Sequence, residues 1–490
     1  MAGNILLTAY SLLALSSALA SSAGHGRRGA MQRQCEASRY ETKPRIFVCT
    51  DMSNEPDDQM SLVRFLTYAN EFDIQGIAGT TSTWKNDSID LTTIHTVISA
   101  YGNVSDNLNA NVPSYAPYPP ASDLHAKVYS GHPVYGLAAL QLDPSNASLA
   151  LVKAVDDTTI DKPQWVTLWG GANILAEALN YVSKTRDEDA VASFVSKLRV
   201  YSISDQDDAG SWIRITYPKL FFIVTLHAFN EYTAASWNGI SGEVYRHFDA
   251  GGPDTSLVTN AWLQEHIRIG ELGAHYPEFY FIMEGDTPSY LGLIQNGLGD
   301  PEHPEWGSWG GRFKLEDASG RSSVFTDACD WVQGLSGQYY MSAFATIWRW
   351  RKDYQWDFAN RMKWTTAANY TQNNHPPTAI VNDTCGPAVL HVPWTYRSDN
   401  STVISLDGSA SWDPDDDELQ FNWFWHWDAS FRLEGDLTKL SQNVDIETVG
   451  SDGSMVHVRP YTNNTIHIVL ALTDAHNMTT YRRVILEPTS

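Results

Sequence analysis

Thr50-Asp51-Met52-Ser53-Asn54-Glu55-Pro56-Asp57-Asp58 crowds three aspartates and a glutamate into eight positions. Like charges this close repel unless a cation or shared protons relieve them. Oxygen-only ligands point to a hard cation, with Ca2+ ahead of Mg2+. A capped, solvated turn would explain Asp57 and Asp58 at a helix start, where the helix dipole favours negative charge. It does not explain Asp51, which ends an apolar run. Asn54 lies inside the same segment and is an expected substrate contact. Asp205, Glu284 and Asp286 each follow an apolar run and are expected to line the same edge. Glu284 is the expected contact to a substrate hydroxyl, or the acid. Asp205 and Asp286 are expected substrate contacts, with a cap on the helix begun by Thr287-Pro288 as the alternative for Asp286. Asp207-Asp208 reads as a solvated turn. No H-E-x-x-H, G-x-S-x-G or phosphate-loop pattern occurs, which argues against zinc, serine-nucleophile and nucleotide chemistry of those types.

The elements that must position these groups follow from the apolar spacing. Arg45–Thr50 reads as a strand, Asp57–Phe72 carries helical spacing, and Ile74–Ala78 reads as a second strand. Strand, helix and strand within about 35 residues make a βαβ unit. The alternation continues with strands at Trp165–Trp169, Leu198–Ile203 and Phe279–Met283, and a helix from Asn173 through Leu179 after Gly170-Gly171. This predicts an α/β fold with a mainly parallel sheet flanked by helices, whose ligands bind at the carboxyl ends of the strands. Beyond Asn373-Asn374-His375-Pro376-Pro377 the pattern changes to short strands, Val403–Leu406, Leu419–Trp427, Ile466–Leu472 and Tyr481–Leu486, with the turn Asp413-Pro414-Asp415-Asp416-Asp417 among them. That predicts an all-β sandwich from 374 to 490 after an α/β domain from 43 to 373. Phe421, Trp423, Trp425 and Trp427 alternate onto one face. A sandwich core or interdomain seam is the expected use, a sugar platform the alternative.

Composition sets the compartment and excludes some partners. The 490 residues hold 33 Lys+Arg and 57 Asp+Glu, a net charge of −24. Such a surface repels phosphate backbones and anionic lipids, so neither a nucleic-acid duplex nor a membrane is an expected partner. Met1–Ala20 has no charged side chain and ends in Ala18-Leu19-Ala20, a signal-peptide pattern. Residues 21–42 read as a flexible leader. Sequons at Asn86, Asn103, Asn146, Asn369, Asn382, Asn400, Asn463 and Asn477 fit a secreted, extracellular glycoprotein. Of Cys35, Cys49, Cys329 and Cys385, one or two disulfides are expected in three alternative pairings, with Cys49 a buried thiol. The 18 Trp and 23 Tyr exceed what a polar chain ordinarily carries and suit sugar stacking as well as core packing.

The acidic segment resembles the signature of inosine–uridine-type nucleoside hydrolases. That resemblance implies a bound Ca2+, with Asp51 as base and ligand and Asp57 and Asp58 as the paired ligands. It further implies the Ala172 carbonyl, in Gly170-Gly171-Ala172-Asn173-Ile174, and Asp357, in Gln355-Trp356-Asp357-Phe358-Ala359, as remaining ligands. The spacing departs from the signature by about two residues, and the Asn-x-x-x-x-x-Glu-x-Asn ribose pattern is absent. A fuller match runs from Thr50–Asp58 through Ser204–Gly210, Glu284–Ser289, Asp300–Gly307 and Thr346–Trp350. Over residues 43–490 the chain is similar to secreted "cellulose-binding" proteins with a nucleoside hydrolase-like domain followed by an immunoglobulin-like one. This implies a glycosyl-bond hydrolase acting on a small sugar, nucleoside or polysaccharide, or a carbohydrate binder that has lost catalysis. Trp306, Trp309, Trp348 and Trp350 lie in or beside these motifs and are expected to line the cleft, with Trp306 a substrate contact.

Overall fold

A computed structural model describes residues 34–35, 37–229, 231–397, 399, 401–430 and 443–489. The expected signal peptide, most of the leader and Asn400 lie outside the described residues. The central sheet contains β1 (Arg45–Thr50), β2 (Asp73–Gly79), β3 (Val128–Ser130), β4 (Gln164–Leu168), β5 (Leu198–Ser202), β6 (Phe221–Val224), β7 (Phe313–Leu315) and β8 (Val324–Asp327). Its order is β3-β2-β1-β4-β5-β6-β8-β7, and every neighbouring pair is parallel except β7 with β8. The chain runs outward from β1 to β3 and then returns to lay β4 on the other side of β1. The sheet therefore reverses its order between β1 and β4, where open α/β sheets form a ligand crevice.

β1 reads as one apolar run because both of its faces are covered. Ile46 and Val48 pack into one core with Met60, Val63 and Phe65 of the helix Pro56–Leu66. Phe47 and Cys49 point the other way, against Val166, Leu168 and Leu175. Each such buried side chain contributes about 1.5–3 kcal/mol. The helix ends at Leu66, short of the expected Phe72, where the Thr67 hydroxyl bonds back to the Arg64 carbonyl.

The strand expected at Phe279–Met283 does not form. Side chains answer its backbone instead. Ser241 Oγ donates to the Met283 carbonyl and accepts from its amide, and Asn260 Nδ2 donates to the Phe279 carbonyl. Tyr280 is 87% exposed.

Two short antiparallel pairs follow, β9 (Asp330–Gln333) with β10 (Tyr339–Ser342) and β11 (Ile380–Val381) with β12 (Thr384–Cys385). β13 (Leu390–Thr395), β19 (Thr479–Thr489), β18 (Ile466–Thr473) and β15 (Gln420–Trp425) form a four-stranded sheet. β14 (Ile404–Asp407), β17 (Met455–Pro460) and β16 (Val444–Val449) form a three-stranded one. Ile468 and Leu470 of the first share a core with Leu406, Val456 and Val458 of the second. Phe421, Trp423, Trp425 and Trp427 all join that core, while Phe424 packs against the α/β domain, within 6.1 Å of the Trp350 ring.

The described part of the expected flexible leader is anchored. Residues 37–41 are mostly helical, Arg39 ion-pairs with Glu71 at 3.1 Å, and Cys35 is disulfide-bonded to Cys385. Cys49 is a free buried thiol and Cys329 a free exposed one. Asn86, Asn103, Asn146, Asn369, Asn382 and Asn463 are exposed, and Asn477 is half-buried. Among the described residues no helix is long and apolar enough to cross a membrane.

Candidate active site

Asp51 leaves the end of β1, at the reversal point of the sheet, and is 2% exposed. Gly170, just past β4, makes room for it: a Cβ there would sit 2.7 Å from Asp51 Oδ1. Asp57 and Asp58 come from the first turn of the helix that begins at Pro56 and are 8% and 4% exposed. Neither is a cap, because the helix is entered through Glu55 with no side-chain bond. Asp286 arrives from the irregular segment after Met283 and is 2% exposed. One oxygen each of Asp57, Asp58 and Asp286 lies within 4.8 Å of the others. Gly285 permits that approach, since a Cβ would stand 2.7 Å from Asp57 Oδ2.

Burial pushes the proton affinity of all four carboxylates up. For Asp57 it acts with Glu55 and Asp51 and carries the pKa to about 7. Asp58 and Asp286 are held well above the usual carboxylate range, by burial first and then by the neighbouring aspartates. Asp51 is raised by burial, with the Ser82 hydroxyl and the Lys85 ammonium opposing the shift. Asp51 Oδ2 and Asp286 Oδ2 are buried without a hydrogen-bond partner among the described residues. Among the described residues no arginine or lysine ion-pairs with any of the four, so these buried anions with free oxygens are not neutralised one for one. The donor set fits a hard divalent cation.

These carboxylates line one wall of a cavity of about 290 Å³, near the lower end of the range for small-ligand pockets. Asn54 and Glu55 stand with them, and the remaining wall is aromatic: Trp84, Trp169, Tyr232, Trp237, Tyr245 and Phe281. Two rings are held in place by hydroxyls, with Trp169 Nε1 donating to Ser289 Oγ and Trp237 Nε1 to Ser204 Oγ, each at 2.9 Å. Arg246, Gln206, Ser204, Ile203 and Ile282 complete the lining. The aromatic surplus in the composition was the one sequence signal for this wall, and it carried no address.

Several expected site residues stand elsewhere. Asp357 is apart from the cluster, accepting from Tyr68 Oη at 2.6 Å and ion-paired with Arg361 at 2.8 Å. Glu284 is fully buried outside the cavity lining, 2.6 Å from Arg64 Nε and 2.5 Å from Tyr276 Oη. The Ala172 carbonyl accepts from the Ala176 amide as the first bond of the helix Asn173–Thr185. Asp205 turns away from the cavity to pair with Arg214, at 2.8 and 2.6 Å. Trp306 stacks on His303 with centroids 3.9 Å apart, facing His467 of the C-terminal sheets. Trp309 donates to Tyr481, Trp348 to Asp249, and Trp350 lies beneath Arg349, so none of the three lines the cavity. Asp207 is 1% exposed and no solvated turn, with burial raising its pKa to about 7.

The family model described as "Cellulose-binding Sde182, nucleoside hydrolase-like domain" matches residues 45–313. A second, "Cellulose-binding protein Sde0182, C-terminal domain", matches residues 403–488. Among solved structures, a nucleoside hydrolase-related hypothetical protein from Saccharophagus degradans, described as associated with carbohydrate metabolism, is similar at 30% identity. That match covers 91% of this chain and 100% of the other, with a TM-score of 0.72. The effector proteins XOO4466 and XopQ match at 11% identity over 70% of this chain and 98% of theirs, with TM-scores of 0.30. No curated protein matches. With the first family model spanning more than half of its length, and the second following in order, the chain belongs to the cellulose-binding Sde182 family, whose first domain is nucleoside hydrolase-like.

Proposed function

We propose that the chain is a secreted, Ca2+-assisted hydrolase of glycosyl bonds whose substrate is a carbohydrate or an N-riboside. The observation that carries this reading is the set of four buried carboxylates, two with unpartnered oxygens, facing an aromatic-walled cavity at the reversal point of a parallel sheet. Asp57, Asp58 and Asp286, with Asp51 beside them, would hold the cation. When bound, the ion would supply positive charge that orients sugar hydroxyls and makes a nearby water easier to deprotonate. Asp51 has a free oxygen and a proton affinity raised by burial. It takes a proton from the water that attacks the anomeric carbon as the glycosyl bond breaks, the bonding pair departing with the leaving group, which takes up a proton from solvent. Asn54 at the rim offers its amide to a sugar hydroxyl. The exposed ring of Trp84 stacks on the sugar or its leaving group, and the fixed rings of Trp169 and Trp237 back the wall and keep bulk water out.

The test is product release from nucleoside and oligosaccharide panels, with and without chelator, for the wild type and Asp51→Asn. Turnover that chelator abolishes is expected, with Asp51→Asn lowering kcat at least ~100-fold. Chelator-insensitive retention on cellulose, with no product from any substrate, would sink the enzyme reading in favour of a carbohydrate-binding protein.

A further inference from the structure

A second acidic cluster lies in the C-terminal sheets. The turn Asp413–Asp417, between β14 and β15, meets the turn between β18 and β19, which carries Asp474. One oxygen each of Asp413, Asp417 and Asp474 lies within 4.8 Å of the others. Asp413 is 6% exposed and Asp474 2%. Asp413 Oδ1 accepts from the amides of Asp415 and Asp417, at 2.8 and 3.1 Å. Its Oδ2 is buried and has no hydrogen-bond partner among the described residues, and the same is true of Asp417 Oδ2. Asp474 Oδ1 accepts from the amides of His476 and Met478, and its Oδ2 from Asn374 Nδ2 at 2.8 Å.

Charge balance separates this cluster from the other acidic group at the domain seam. Asp330 and Asp428 also approach each other, but Arg312 and Arg349 neutralise them at 2.5–3.0 Å. Among the described residues, no arginine or lysine pairs with Asp413, Asp417 or Asp474. Their nearest basic group is His476 Nε2, 3.9 Å from Asp417 Oδ2. Burying unpaired carboxylates costs several kcal/mol each, and a bound cation offsets that cost while leaving them ionised. Oxygens within 4.8 Å of one another match ligands on opposite sides of a Ca2+ bound at roughly 2.3–2.6 Å. Asp417 and His476 also line a surface cavity, which gives an ion access.

We infer that Asp413, Asp417 and Asp474 form a structural divalent-cation site, separate from the active-site cluster and suited to Ca2+. Its two turns grip the segment that joins the domains. Asn374 donates to Asp474, the His375 amide donates to Asp415 Oδ2 at 2.7 Å, and Asn360 Nδ2 donates to the His476 carbonyl at 3.3 Å. The bound ion therefore fastens the C-terminal sheets to the helix Arg351–Trp364.

The test is calorimetric titration of the full chain with Ca2+ in the Asp57→Asn/Asp286→Asn background, which removes the other acidic cluster. One equivalent is expected to bind there and to raise Tm. Adding Asp417→Asn is expected to weaken that equivalent at least tenfold and to remove the rise in Tm. This carboxylate accepts no hydrogen bond among the described residues, so the substitution removes a ligand without removing a turn. Absence of bound Ca2+ in the background variant, or undiminished binding after Asp417→Asn, overturns the inference. Should the background variant fail to fold by circular dichroism, the comparison is wild type against Asp417→Asn alone. A loss of one equivalent then supports the site, and unchanged stoichiometry and affinity refute it.

Discussion

Glu284 and Asp286 are two positions apart, and an arginine makes the difference between them. Arg64 reaches Glu284 with Nε at 2.6 Å and Nη2 at 3.2 Å, and stacks its guanidinium 4.2 Å from the Phe358 centroid. Asp286 has no such partner and faces Asp57 and Asp58. Nothing local in Glu284-Gly285-Asp286 announces this, because Arg64 lies 220 residues away and is itself an unremarked position on a helix. Breaking one side of a buried pair costs about 3–5 kcal/mol, since it strands the other charge. Glu284→Gln is therefore expected to lower the unfolding free energy by about 3 kcal/mol while changing kcat of the folded fraction only a few-fold. Urea unfolding beside steady-state kinetics checks this; unchanged stability with lost turnover would return Glu284 to the chemistry. Asp286→Asn is expected to do the reverse. It removes one of several mutually repelling anions, so stability in chelator rises while Ca2+ affinity falls.

At the scale of elements, the strands that carry the site were legible and the segment that completes it was not. β1, β4 and β5 are almost wholly buried, so each reads as a continuous apolar run bounded by polar turns. Phe279–Met283 shows the same run for a different reason. Phe281 and Ile282 form cavity wall, and Met283 packs in the core. Apolar periodicity reports burial, not hydrogen-bond partners, and here the partners are Ser241 and Asn260. The Gly170-Gly171 turn, expected to lend a carbonyl, instead makes space: Asp51 packs against Gly170, and Asp207 Oδ2 would lie 2.4 Å from a Cβ on Gly171. Gly170 does not sit at positive φ, so alanine there adds bulk without backbone strain. Gly170→Ala is expected to cost about 1–3 kcal/mol by overpacking. It should lower kcat at least tenfold by displacing Asp51. A Tm and an activity both equal to wild type would show that Asp51 has room to move.

The two domains meet along a polar seam that motif reading cannot see, because its partners are more than a hundred residues apart. The amides of Tyr481 and Arg483 in β19 donate to the carbonyls of Asn296 and Gly297. Trp306, expected at the substrate, belongs to this seam, its carbonyl accepting from Arg483 Nη2 at 3.0 Å. Arg483 is fully buried, bonds to the Leu298, Trp306 and Gly307 carbonyls and to His467 Nδ1 at 3.1 Å, and has no carboxylate in ion-pair contact among the described residues. That bond needs a neutral imidazole as acceptor. Burial, with Arg483 and then His426, His391 and His303 adding to it, lowers the His467 pKa to about 2, against about 6.5 in the unfolded chain. His426 is lowered to about 3, by burial first and by Arg349 and Arg483, with Asp330 opposing. A depressed folded pKa means that the unfolded state binds the extra proton. The stability is whole above pH ~6.5 and drains away as pH falls toward the folded value. For His467 alone the loss by pH 5 is about 2 kcal/mol. Other groups titrate in the same interval, the raised active-site carboxylates among them, so the measurement must be a difference. His467→Asn keeps an acceptor for Arg483 and removes the titration. Between pH 7.5 and 5, wild type is expected to lose about 2 kcal/mol more unfolding free energy than His467→Asn. Parallel pH profiles would mean that His467 takes up its proton equally in both states, and that the seam around Arg483 opens to water.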